Sequence, residues 1–176
     1  MRGLSRYNKF MILDPILDLP PYLATRRNHA VEHATLKILA RKYDDKTLAG
    51  HSNPTGFFLF GDIALEDIRD AIDEAMRRLR AGEKDLAIHP GCGTNVATSL
   101  VLPATLAWMP LQGARSNRWR LVLIPIALTF ALFGYLLSKP LGPWLQRNIT
   151  TEADLGDLRV TEIVAVRKGV HRVITK

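Results

Sequence analysis

Three polar residues within five positions, His29, Glu32 and His33, form the spacing with the most chemical content in this 176-residue sequence. If this stretch is helical, the two histidines lie four apart on one face, and both imidazoles reach a single ion. Glu32 sits on the adjoining angle, where its carboxylate can take a proton from a metal-bound water without becoming a ligand. Zinc suits such a set, because neutral imidazoles leave a position open for a water whose pKa falls towards ~7. The plainer alternative is a pair of core histidines hydrogen-bonded inside a small domain, with Glu32 as their partner.

A third ligand has to come from elsewhere. His89 ends an apolar stretch and opens a Gly-rich bend, a place from which a side chain can be aimed at a site, and it is the preferred ligand. His51 leads into a turn and His171 lies in the tail; both are weaker candidates. Glu66 and Glu74 fall on the solvent side of their helix. Cys92, the single cysteine, is a further candidate, either as a ligand or as support for the loop. As a nucleophile with His89 as its base it lacks an orienting third group. Asn95 or Thr94 is placed to cap the following helix, and Asn95 to hydrogen-bond a developing oxyanion.

Stepping outward, these residues need a helix over about 25–43, whose inward stripe reads His29, Glu32, His33, Leu36, Ala40 and Tyr43. Two short strands joined by an Asn-Pro/Gly turn follow, the second being the apolar run from Phe57 to Phe60. Residues 65–80 form an amphipathic helix with Leu65, Ile68, Ala71, Ile72, Ala75, Met76 and Leu79 on one stripe, stopped near Gly82. Residues 86–89 read as a third short strand. The tail alternates from Val160 to Val166 and turns at Lys168-Gly169, which predicts a β-hairpin that joins the N-terminal sheet.

No Lys, Arg, Asp or Glu occurs between Asp85 and Arg115, nor from Leu121 to Ser138. These runs are near the length needed to cross a bilayer, and Trp119 and Trp144 flank the second as interface anchors. The expected fold is α+β: a small sheet with two amphipathic helices plus a two-helix transmembrane hairpin. Its parts are an N-terminal interfacial segment (1–24), a metal-binding α+β domain (25–93), the hairpin (94–138) and a tail (139–176). The formal charge of +7 is scattered without aromatic interleaving, which argues against nucleic acid and for basic residues flanking spans.

The order H-x-x-E-H resembles the inverted zinc-binding motif of the pitrilysin/insulinase metallopeptidases. That resemblance covers roughly residues 26–79 and implies His29 and His33 as ligands and Glu32 as base. The chain departs from the family in its length, its apolar runs and the lack of a clear downstream glutamate ligand. Separately, Asn28 to Thr35, Leu48 to Phe57 and His89 to Asn95 resemble a family of small bacterial membrane proteins with no assigned activity. The resulting expectation is a two-span, membrane-anchored zinc metalloprotease with its catalytic domain facing the cytoplasm. Its partners would be the bilayer and a peptide or membrane-protein substrate; the oligomeric state is not indicated. The alternative from another class is a non-enzymatic membrane protein with a structural metal or cofactor at the same histidines, since a structural site closes with four protein ligands and needs no base.

Overall fold

The computed structural model describes residues 13–114 and 116–176; the described residues form two compact units, 13–89 with 147–176, and 90–146. Half of the expected interfacial segment, residues 1–12, lies outside the described residues; the other half holds a short helix α1 (Asp14–Leu17) and the start of the next helix.

In the first unit the motif lies on helix α2 (Pro20–Leu39), which begins earlier than expected and ends before Tyr43. Pro20 and Pro21 start the helix rather than breaking it, because a proline in the first turn forfeits only a donor that has no partner there. Strands β1 (Ala49–Asn53) and β2 (Gly56–Phe60) follow, then helix α3 (Leu65–Arg80). A C-terminal hairpin, β3 (Val160–Arg167) and β4 (Val170–Thr175), completes an antiparallel sheet of order β1-β2-β4-β3. The β1–β2 turn needs Gly56 at φ 135°, and a Cβ there would run into the carbonyl of Val173.

The core lies between the inner sheet face and α2 and α3. Phe57, Leu59 and Val173 from the sheet meet Ala30, Val31 and Ala34 of α2, and Ile68, Ile72 and Ala75 of α3. Asn28, fully buried, pins the C-terminal strand to α2: its Nδ2 donates to the Asn53 carbonyl at 2.8 Å, and its Oδ1 accepts from Thr175 at 2.8 Å.

The stretch expected as a third strand is instead a 3-10 turn, Lys84–Ala87. Leu86 and Ala87 bury their side chains in the core shared with α2 rather than joining the sheet.

The second unit consists of α4 (Gly93–Leu111) packed on α5 (Asn117–Leu145). The residues that α5 buries, Ala127, Gly134, Ser138 and Gly142, are all small and recur at helical spacing. At Gly134 an added Cβ would lie 2.8 Å from the Pro103 backbone, so the helices approach where side chains are missing.

The expected two-helix transmembrane hairpin is corrected here. Among the described residues, the one helix long and apolar enough to cross a membrane is Asn117–Thr150. Helix α4 does not qualify, because Thr94, Asn95, Thr98, Ser99 and Thr105, with Pro103 and Pro110, dilute its apolar run. The two-span localisation falls with it, and a single candidate span fixes no orientation for the N-terminal unit.

Candidate metal centre

His29 and His33 lie one turn apart on α2, with ring centroids 4.2 Å apart. His33 is 2% exposed and His29 is half-buried. Each ring is fixed by a backbone carbonyl. His29 Nδ1 lies 2.9 Å from the oxygen of Thr150, and His33 Nδ1 lies 2.6 Å from that of Ala87. A carbonyl oxygen only accepts, so both Nδ1 atoms carry the hydrogen, and in the neutral imidazole that leaves the lone pair on Nε2. This is the outer arrangement that prepares a metal-ligating imidazole.

Cys92 is buried, at the N-cap of α4, where its sulfur accepts from the Thr94 amide at 3.4 Å. A helix N-terminus favours a thiolate, the form that binds metal. One possible ligand atom from each of His29, His33 and Cys92 falls within a set whose members are all within 4.8 Å of one another. Donors around a tetrahedral zinc ion stand roughly 3.3–3.6 Å apart, somewhat closer than the 4.8 Å within which this set lies. The donor set therefore fits a metal, and a borderline-soft one by its mixture of imidazole and thiol.

His89 lies beside this pair, its ring centroid 5.7 Å from that of His33. Burial, helped by the charges of His33 and Lys37, pushes its imidazole below the usual histidine range. Low basicity keeps it neutral, as a ligand must be.

Glu32 is turned away from any open water. Only 3% exposed, it accepts a very short hydrogen bond from Ser52 of β1. Its carboxylate occupies the space beside Gly50, where an added Cβ would lie 2.6 Å from Glu32 Cδ. Burial raises its carboxyl above the ordinary range, opposed by the Ser52 bond and by the charges of His29 and His51.

The remaining sequence candidates lie elsewhere. His51 is exposed on β1, and His171 is buried on the inner face of β4, opposite Leu59 and Ala165. Glu66 is exposed, and Glu74 pairs with Arg77 and Arg78. Asn95 donates to the Pro90 carbonyl at 3.0 Å and packs against Gly142, so its amide serves the packing of α4. Thr150 and Ala87 went unnoticed in the sequence, since a main-chain carbonyl has no residue-type signature. The sequence signal at Cys92 is a lone cysteine one residue before a helix start.

With this geometry in view, the family can be stated. The chain belongs to the family described as a domain of unknown function, DUF6391, which matches residues 24–163. An uncharacterised protein of Picosynechococcus sp. is 36% identical over 165 residues, covering 86% of this chain and 77% of the relative. No solved structure matches this chain.

These findings correct the peptidase expectation. The family that matches has no assigned function, and the clustered donors are His, His and Cys rather than two histidines and a glutamate. A general base must hold a metal-bound water at an open face, whereas the Glu32 carboxylate is buried against Gly50 and Ser52. The donor set and the burial of Glu32 thus run against the metallopeptidase resemblance, the hydrolase activity and the base role of Glu32. What stands is a buried cluster able to coordinate a metal ion.

Proposed function

We propose that this chain is a non-enzymatic, membrane-anchored metal protein in which zinc is held by His29, His33, Cys92 and His89. The observation that carries this reading is the pair of Nδ1–carbonyl bonds, which point the Nε2 lone pairs of His29 and His33 away from their backbone partners. A set of three histidines and one cysteine fills the four positions of a tetrahedral ion and leaves none for a reacting water, the pattern of a structural site.

Lipid is the partner that fits α5. Leu121, Val122, Leu128, Leu132, Phe133 and Leu136 are each more than half exposed, while the helix buries small residues. Roughly 20 predominantly apolar residues cross a bilayer, and α5 is 29 residues long with an uncharged run from Leu121 to Ser138.

Full-length protein purified in detergent and analysed for metal should carry one zinc per chain. Cobalt substitution should give tetrahedral d–d bands and a thiolate-to-cobalt absorption that Cys92→Ser removes. A chain that binds no metal, or a cobalt spectrum unaffected by Cys92→Ser, would overturn the reading.

A further inference from the structure

The two edges of the sheet are unlike. Strand β1 closes one edge with five residues, whereas β3 runs for eight along the other. No described strand pairs with the free side of β3, so its backbone donors and acceptors there form a template for a further strand. Between Glu162 and Arg167 the strand has neither charge nor proline, and Val164 and Val166 are 37% and 56% exposed. A five-residue edge is protected by its shortness; a longer edge with exposed valines invites a partner strand.

The register with β4 shows which β3 side chains share a face. Glu162 stands opposite Ile174, Val164 opposite Arg172, and Arg167 opposite Val170. Those three β4 residues lie on the face away from Val173 and the core, where the Arg172 guanidinium sits 4.6 Å from the centre of the Phe58 ring. Arg167 reaches this face because the register shifts between Ala165 and Arg167, the effect of one extra residue in the strand. The outer face of β3 therefore reads acid, valine, base, with Val164 in the middle. Among the described residues neither Glu162 nor Arg167 takes part in an ion pair.

This order is complementary to itself. A second β3 laid antiparallel about a two-fold axis at Val164 sets Glu162 opposite the partner's Arg167, and Arg167 opposite the partner's Glu162. Val164 then meets its own copy, and on the other face Ile163 meets the partner's Ala165. Sliding the strands by two residues places Glu162 opposite a valine and loses the match, so the charges select one register.

We infer that the free edge of β3 is a self-association surface, joining the four-stranded sheets of two copies of this chain into one continuous antiparallel sheet. The occupant is a second copy because the charge order is satisfied by its own reverse.

The test is the mass of the full-length protein in detergent at low salt, followed by light scattering over a range of concentrations. Wild type should form dimers. Glu162→Arg or Arg167→Glu alone turns both ion pairs into like-charge contacts and should weaken dimerisation by about tenfold or more, whereas the double variant should restore it. Val164→Lys places two cations on the axis and should also dissociate the dimer; it serves if a charge reversal fails to fold. Wild type that stays monomeric overturns the inference. So does a dimer that the folded single variants leave intact, or one that the double variant fails to restore.

Discussion

His33 Nδ1 meets the carbonyl oxygen of Ala87 at 2.6 Å, and this contact decides which nitrogen of a buried imidazole is left for chemistry. The 3-10 turn that presents Ala87 ends two residues before His89, so one short segment orients one candidate ligand and supplies another. His29 is fixed in the same way from the other end of the chain, by the Thr150 carbonyl. Two main-chain oxygens, distant in sequence, thus set the tautomers of neighbouring rings.

Metal occupancy should be visible as stability. At free zinc one hundred times its dissociation constant, binding adds about 2.7 kcal/mol, roughly 5–10 °C for a chain of this size. Thermal melts of the wild type should fall by that order on adding a chelator. Melts of His33→Ala should start lower and not respond. Equal chelator shifts in both would exclude His33 as a ligand.

A separate acid sensitivity is expected at His171. Burial holds its imidazole below the usual histidine range, against the opposing charge of Asp62. Above about pH 6.5 the residue is neutral in folded and unfolded chains alike. As pH falls below that value the unfolded chain takes a proton that the folded one resists, so stability declines until the folded group also titrates. Denaturant midpoints measured from pH 7 to pH 5 should fall less steeply in His171→Leu than in wild type.

Asn28 should matter without touching metal. Asn28→Ala leaves the Asn53 carbonyl and the Thr175 hydroxyl without their shared partner inside the core, at a cost of about 1–3 kcal/mol. Urea unfolding should report that loss, while the cobalt spectrum of folded Asn28→Ala keeps its thiolate absorption. A spectrum lost in step with stability would mean that the network also sets ligand geometry.

Gly134→Leu should separate α4 from α5, because its new side chain meets the backbone of Pro103. Overpacking of this kind costs about 1–3 kcal/mol. Protease accessibility of the α4–α5 connection in detergent should increase, and an unchanged digestion pattern would contradict the close packing.

The elements with strong periodicity were readable from the chain alone. The stripe of Ile68, Ala71, Ile72, Ala75, Met76 and Leu79 is the face that α3 buries, because an apolar row at helical spacing has few other places to go. Short segments were not readable. Leu86 and Ala87 suit a strand or a 3-10 turn equally by pattern, and packing against α2 settled it. The spacing of His29 and His33 does put the two rings side by side on one helix face, whereas Glu32 between them is ambiguous by position alone. Its direction is decided by the missing side chain at Gly50 and the hydroxyl at Ser52, twenty residues away. Helix α4 misled for another reason. A run without charges reads as a span, yet its hydroxyls, amide and prolines lower its apolar character below what a bilayer core demands.

X-ray absorption at the zinc edge of the full-length protein tests the metal centre most directly. The account predicts one sulfur at about 2.3 Å and three nitrogens at about 2.0–2.1 Å, with Cys92→Ser losing the sulfur shell. A first shell of nitrogen and oxygen alone, with no sulfur in the wild type, would contradict it.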